Sequence, residues 1–289
     1  MNKIDLSKMI PKFLKFLESV ESASVHTIKS YRVDLFQAFG ALDKVPNLNE
    51  NDLLRKAREA QTKWGPLSPA SRNRKTATLK SFFHYLEKEK LITRPLAELI
   101  SSIKVPRKLP RSISVDEALA VIHVLKDEAP HRDLLLFLLL YGGGLRVSEA
   151  CELKWTQIDT SQKVLRIKGK GNKERLISLP KLVFDALELQ RQNLPTTKNY
   201  IWGNEPMNPR TAYEIIRRSG TQAGLIRPIH PHALRHSFAT HLLSSGANLR
   251  TLQELLGHQS LQATEKYTHL GIQELARTMQ KHHPLSKPK

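Results

Sequence analysis

The stretch His230-Pro231-His232-Ala233-Leu234-Arg235-His236-Ser237-Phe238-Ala239-Thr240-His241 is followed by Leu255-Leu256-Gly257-His258 and then by Glu265-Lys266-Tyr267-Thr268-His269. Positions three and four apart share a helix face, so His232 and Arg235 can point the same way. Gly246 stops that helix, Asn248 to Leu256 reads as another, and Gly257-His258 ends it. One arginine, two histidines and a tyrosine converging on one point suit a bound and attacked phosphate. Arginine and histidine supply charge and donors, and tyrosine supplies a nucleophile.

The rest of the composition agrees with a polyanionic partner. The 289 residues carry 46 Lys+Arg against 27 Asp+Glu, a formal net charge of +19, and nucleic acid is the usual partner of such a balance. A single cysteine, Cys151, forbids an intramolecular disulfide and fits a reducing cytosol. The longest apolar run, Leu134 to Tyr141, falls far short of the ~20 residues of a membrane span. The N-terminus lacks the apolar core of a signal peptide, so a cytoplasmic protein is expected.

Upstream, the apolar spacing of Ile10, Phe13, Leu14 and Leu17, and of Ile28, Tyr31, Leu35, Phe36 and Phe39, predicts two helices. Asp52 to Ala60 reads as a third. A fourth begins at Ser68-Pro69 and buries Leu79, Phe82, Phe83 and Leu86. Lys29 and Arg32 on the second helix, with Arg72, Arg74 and Lys75 on the fourth, make a surface able to track phosphates. Pro106 and Pro110 break the chain at 101–112, where Lys104, Arg107, Lys108 and Arg111 form a basic strap. Ser114 and Glu117 form a capping box ahead of the next helix. Arg132 to Tyr141 is a strongly apolar helix ended by Gly142-Gly143-Gly144. From Leu153 the pattern turns to short strands. Val164–Ile167 and Arg175–Leu179 flank Gly169-Lys170-Gly171-Asn172 as a hairpin, and Tyr200–Trp202 reads as one more strand. Lys173 and Arg175 on this hairpin count with the DNA-facing cations.

The order Gly144-Leu145-Arg146-Val147-Ser148-Glu149, Gly169-Lys170-Gly171-Asn172-Lys173-Glu174-Arg175, His232-x-x-Arg235, Leu256-Gly257-His258 and Tyr267 resembles the signature of the tyrosine recombinase (phage integrase) family. The resemblance covers essentially the whole chain and points to the Xer branch, which resolves chromosome dimers. It implies a mainly α fold with a small β-sheet. A helical core-binding domain would occupy 1–100, a basic linker 101–112, and an α+β catalytic domain 113–289, the last ending in an assembly tail. Relatives commonly carry Thr-Gly where this chain has three glycines, a departure that would loosen the turn while leaving Arg146 in place.

The resemblance also implies roles. Arg146 and Arg235 would fork onto the non-bridging oxygens of the scissile phosphate, with His258 as a further donor. Tyr267 would attack in line, Lys170 would protonate the leaving 5′-oxygen, and His232 would take the tyrosyl proton. Glu149 would brace the site from behind, although a helix-surface role suits it equally. No cofactor is expected. No metal is expected either, because the His232/His236 pair lacks the glutamate of a His-Glu-x-x-His helix and has no cysteine or carboxylate cluster beside it. The implied partners are double-stranded DNA, a second Xer-type recombinase in a tetramer on two DNA sites, and a DNA translocase of the FtsK type. Three alternatives stay open: a mobile-element integrase with the same chemistry, a type IB topoisomerase, and a non-catalytic basic DNA-binding relative.

Overall fold

A computed structural model describes residues 3–21, 23, 25–40, 47–103, 112–168, 174–194, 198–256 and 269–286. The chain divides into two compact units, Met1–Lys108 and Leu109–Lys289.

The first unit packs α1 (Leu6–Ser19), α2 (Val25–Phe39), α3 (Glu50–Lys63) and α4 (Pro69–Lys88). Side-chain caps set three of the starts: Asp5 accepts from the Ser7 N–H, Asn49 from Asp52, and Ser68 from Ser71, with Pro69 in the first turn. Phe13, Leu17, Leu35, Phe39, Phe82, Phe83 and Leu86 close the core. The Asp34 carboxylate is buried within this unit, and burying a charge is costly unless it is paired. Lys75 Nζ donates to it at 2.7 Å, Arg74 Nη2 at 3.0 Å and Thr78 Oγ1 at 3.0 Å. Lys75 also donates to Gln37 Oε1 at 2.6 Å and is 7 % exposed. Its assignment to a DNA-facing surface is therefore corrected: this ammonium neutralises Asp34 inside the unit. Lys29 and Arg32 are exposed as expected, Arg72 is half-buried, and Arg74 is exposed while forked on Asp34.

In the second unit, the Ser114–Glu117 capping box starts α5 (Val115–Glu128), as the sequence suggests. The central element is α6 (His131–Tyr141), buried without a break from Asp133 to Tyr141 and packed against α5 and the later α8 (Lys181–Asn193), α9 (Pro209–Gln222) and α10 (Pro231–Ser244). The short α7 (Val147–Cys151) follows, with Cys151 a packed core residue whose thiol burial pushes up to about 11. The sheet is antiparallel in the order β1 (Ile158–Asp159), β2 (Val164–Lys168), β3 (Glu174–Ser178), with Ile167 opposite Arg175 and Lys168 opposite Glu174. The expected strand at Tyr200–Trp202 is absent. Tyr200 instead bridges to Lys154 and Gly203, and Gly203 at φ 135° reverses the chain at once.

The chain then runs through α11 (Leu249–Leu256) and α12 (His269–His282) to a 3-10 turn at Pro284–Ser286. This tail packs on its own domain: Leu275 and Met279 join a core with Phe238 and Leu242, and His283 is fully buried. The His283 ring meets Tyr141 and Phe238, and burial holds it neutral, lowering it to about 4. Among the described residues, no helix is long and apolar enough to cross a membrane.

Candidate active site

The site is built on the turn after α6. Gly144 sits at φ 61°, and a Cβ there would lie 2.5 Å from the Phe238 ring, so only glycine lets the chain turn this tightly. All three glycines of 142–144 are buried. The triple glycine therefore makes a close-packed turn, not the loosened one its sequence suggests. Arg146 follows as the N-cap of α7. A cation is unfavourable at a helix N-terminus. Glu149, one turn on, offsets it: the Arg146 N–H donates to Glu149 Oε2 at 2.8 Å, and Arg146 Nη1 donates to Oε1 at 2.8 Å. The Arg146 side chain keeps 45 % of its surface open.

Two further arginines close on the same carboxylate. Arg175, the second residue of β3, donates from Nη1 to Glu149 Oε1 at 2.9 Å and from Nη2 to Oε2 at 2.6 Å. Its Nε donates to the Leu255 carbonyl at 3.1 Å. Arg235, on α10, lies 3.9 Å from Glu149 Oε2, donates from Nη1 to the Gly144 carbonyl, and donates from Nη2 to the Leu256 carbonyl at 2.7 Å. The last carbonyls of a helix have no partner within it and form its negative end. Arg175 and Arg235 thus take successive carbonyls at the end of α11, from which the chain continues in sequence to His258 and Tyr267.

One carboxylate and three guanidiniums leave an excess of two positive charges here. Burial pushes the Glu149 carboxyl up, but the hydrogen bonds and charge of Arg175, followed by those of Arg146, hold it down at about 2. Arg235 is lowered to about 10, first by burial and then by the Arg146 charge, with Glu149 opposing and Arg175 adding to the repulsion. It remains a cation at neutral pH. A cluster of like charges that repel one another around one anion is built to accept a second anion. Among the described residues, two of the five N–H donors of Arg235 are used, both on carbonyls, so the guanidinium retains donors for it.

The remaining expected residues fall into three groups. His232 is exposed on the first turn of α10, whereas Arg235 one turn later is buried. Lys170, His258 and Tyr267 lie outside the described residues, as do Lys173 and the linker cations Lys104, Arg107, Lys108 and Arg111. Arg175 was expected to face DNA and is 5 % exposed, so that expectation is corrected: all three of its guanidinium nitrogens donate within the domain. The strand pattern held the signal, because Arg175 shares a pleat face with Ile177, which is fully buried. Other histidines of the α10 stretch have structural work. His230 Nδ1 accepts from the Ala233 N–H at 3.1 Å as a cap, and His241 Nδ1 meets the Tyr141 hydroxyl at 2.9 Å.

The phage integrase family model matches residues 111–274, and the phage integrase N-terminal SAM-like domain matches residues 10–90. The tyrosine recombinase XerC of Myxococcus xanthus is 36% identical and aligns over 96% of this chain and 98% of its own. Among solved structures, the XerH site-specific recombinase bound to its difH substrate in a pre-cleavage complex is similar at a TM-score of 0.64, with 25% identity over 94% of this chain and 83% of that one. A lambda integrase dimer bound to a core site shares the fold at a TM-score of 0.68 and 20% identity, over 91% of this chain and 99% of that one. With the family model matching residues 111–274 and the XerC match running almost end to end, the chain belongs to the phage integrase family of site-specific tyrosine recombinases.

Proposed function

We propose that this chain cuts and rejoins double-stranded DNA at a chromosome-dimer (dif-type) site, through a 3′-phosphotyrosyl intermediate on Tyr267. The observation that carries the reading is the cationic cluster of Arg146, Arg175 and Arg235 on Glu149, left with excess positive charge and one open guanidinium. The near end-to-end similarity to proteins named XerC supports the finer assignment.

A phosphodiester resists attack because it is anionic, and a phenol of pKa near 10 is mostly un-ionised at neutral pH. Arg146 and Arg235 neutralise the non-bridging oxygens, with His258 donating beside them. The Tyr267 oxygen attacks phosphorus as its proton passes to His232. The bond to the 5′-oxygen breaks, and Lys170 donates the proton that makes a free 5′-hydroxyl. Rejoining runs the same steps backwards and needs no external energy source, because the phosphotyrosyl bond conserves that of the phosphodiester. When the attacking 5′-hydroxyl comes from a second duplex, strands are exchanged. Two sites then demand an assembly of four protomers, in which a second Xer-type recombinase takes half the positions. A DNA translocase of the FtsK type would activate it.

The test is a plasmid bearing two directly repeated dif-type sites, incubated with this protein, an Xer-type partner and a DNA translocase of the FtsK type. Excision into two circles is expected. Binding to a single site should weaken by about 10³-fold or more between 50 and 200 mM salt, because Lys and Arg contacts to phosphates release counterions. A flat salt dependence, or binding with no excision even with the partner present, contradicts the proposal.

A further inference from the structure

We propose that Arg175 is a positioning residue for cleavage. It ties together the strand that follows Lys170, the carboxylate that orients Arg146, and the carbonyl end of the helix that leads to His258. This inference rests on the recombinase reading above and extends it to a residue outside the six taken to meet the phosphate.

The geometry is specific to this side chain. At 5 % exposure, Arg175 cannot reach a DNA phosphate, so its charge acts inward. All three nitrogens of its guanidinium are engaged: Nη1 and Nη2 on the two oxygens of Glu149, and Nε on Leu255 O. Glu149 in turn receives the backbone N–H and Nη1 of Arg146, so the direction of the open guanidinium depends on where the carboxylate is held. Leu255 O lies one residue before Leu256 O, the carbonyl that Arg235 takes. The fork therefore fixes the end of α11 relative to both phosphate-binding arginines. A lysine at this position keeps the charge but is a single point, and cannot hold two carboxylate oxygens and a carbonyl at once. Burial also matters: the four hydrogen bonds keep Glu149 ionised despite its surroundings, and Arg175 is the foremost of the groups that do so.

The test measures two quantities on a nicked suicide substrate: the single-turnover rate of covalent complex formation at saturating DNA, and DNA affinity. The proteins are wild type, Arg175→Lys, Arg175→Gln, Glu149→Gln and the Arg175→Gln/Glu149→Gln double variant. Loss of a residue supporting a reacting site slows chemistry by about 10- to 100-fold. That loss is expected for Arg175→Lys and Arg175→Gln, with affinity within about threefold of wild type. The double variant should be no slower than the slower single, because both act through one carboxylate. The rate in Arg175→Gln should also fall off at a higher pH on the acid side than in wild type, since Glu149 then protonates more easily. Arg175→Lys, which keeps the buried charge, carries the test where Arg175→Gln does not fold. Variants that cleave at the wild-type rate overturn the inference. So does an affinity at least tenfold weaker with an unchanged saturating rate, the signature of a phosphate contact. Failure of the recombinase reading is distinguishable, because it shows in the wild-type lane as an absence of covalent complex.

Discussion

Tyr267→Phe should bind a nicked recombination site as tightly as wild type and form no covalent complex, a loss of at least about 10⁴-fold in cleavage. The size follows from the chemistry: the phenol oxygen is the atom that replaces the 5′-oxygen on phosphorus, and phenylalanine retains the ring without it. Nor does Tyr141, one of the chain's other tyrosines, inherit the role. Tyr141 is the only one shown hydrogen-bonded to a histidine among the described residues, yet it is fully buried, and burial pushes its hydroxyl well above its usual range. It can neither ionise readily nor meet DNA. Binding should survive because the cations that meet phosphates are untouched. Gel shift reads the affinity and denaturing electrophoresis reads the adduct. Residual adduct within about tenfold of wild type would place the nucleophile elsewhere.

Glu149→Gln should have the next largest effect, on both rate and stability. Among the described residues, the carboxylate is the only anion shown paired with Arg146, Arg175 and Arg235. A glutamine amide is neutral, and its NH2 must face an arginine N–H that it cannot accept from. Cleavage should slow by about 10²-fold or more, in line with losing a preorganised group beside developing charge. Stability should fall by about 3 kcal/mol at neutral pH, because holding a carboxyl at about 2 instead of its ordinary 4.5 is worth roughly that much. The sign is fixed by linkage. A depressed carboxyl stabilises the fold above its unfolded value of 4.5, and that contribution disappears as pH falls towards 2. Urea unfolding should therefore separate wild type from Glu149→Gln fully at pH 7 and only partly at pH 3. Equal stabilities at pH 7 would show that the hub does not hold the domain together.

Much of this site was legible from residue types and order. Helical spacing singles out Arg235 with His232, resemblance to the family's motifs singles out Arg146 and Glu149, and the capping relation between Arg146 and Glu149 is a one-turn helix pattern. The helices of the first unit were legible because their apolar residues recur at helical spacing, and the β2–β3 hairpin because Gly169 and Gly171 interrupt two apolar runs. What escaped were pairings across sequence distance. Lys75 lies on the stripe of Leu79, Phe82 and Leu86, so its inward direction was readable, but its partner Asp34 is on another helix. Arg175 lies on the buried face of β3, but its partners Glu149 and Leu255 are 26 and 80 residues away. Charged residues were assigned to the surface because burial of a charge requires a partner, and a partner that distant leaves no local mark. The false strand at Tyr200–Trp202 has the opposite cause: three apolar residues satisfy a strand pattern, and a following glycine decides otherwise.

The most direct test of the account is to trap wild type on a nicked dif-type suicide substrate in EDTA, digest the adduct with trypsin and locate the nucleotide by mass spectrometry. One modified peptide is expected, cut after Lys266 and beginning at Tyr267, carrying a 3′-linked nucleotide on the tyrosine oxygen and forming at the same rate with or without chelator. Attachment to any other residue, or an adduct that disappears in EDTA, would contradict it.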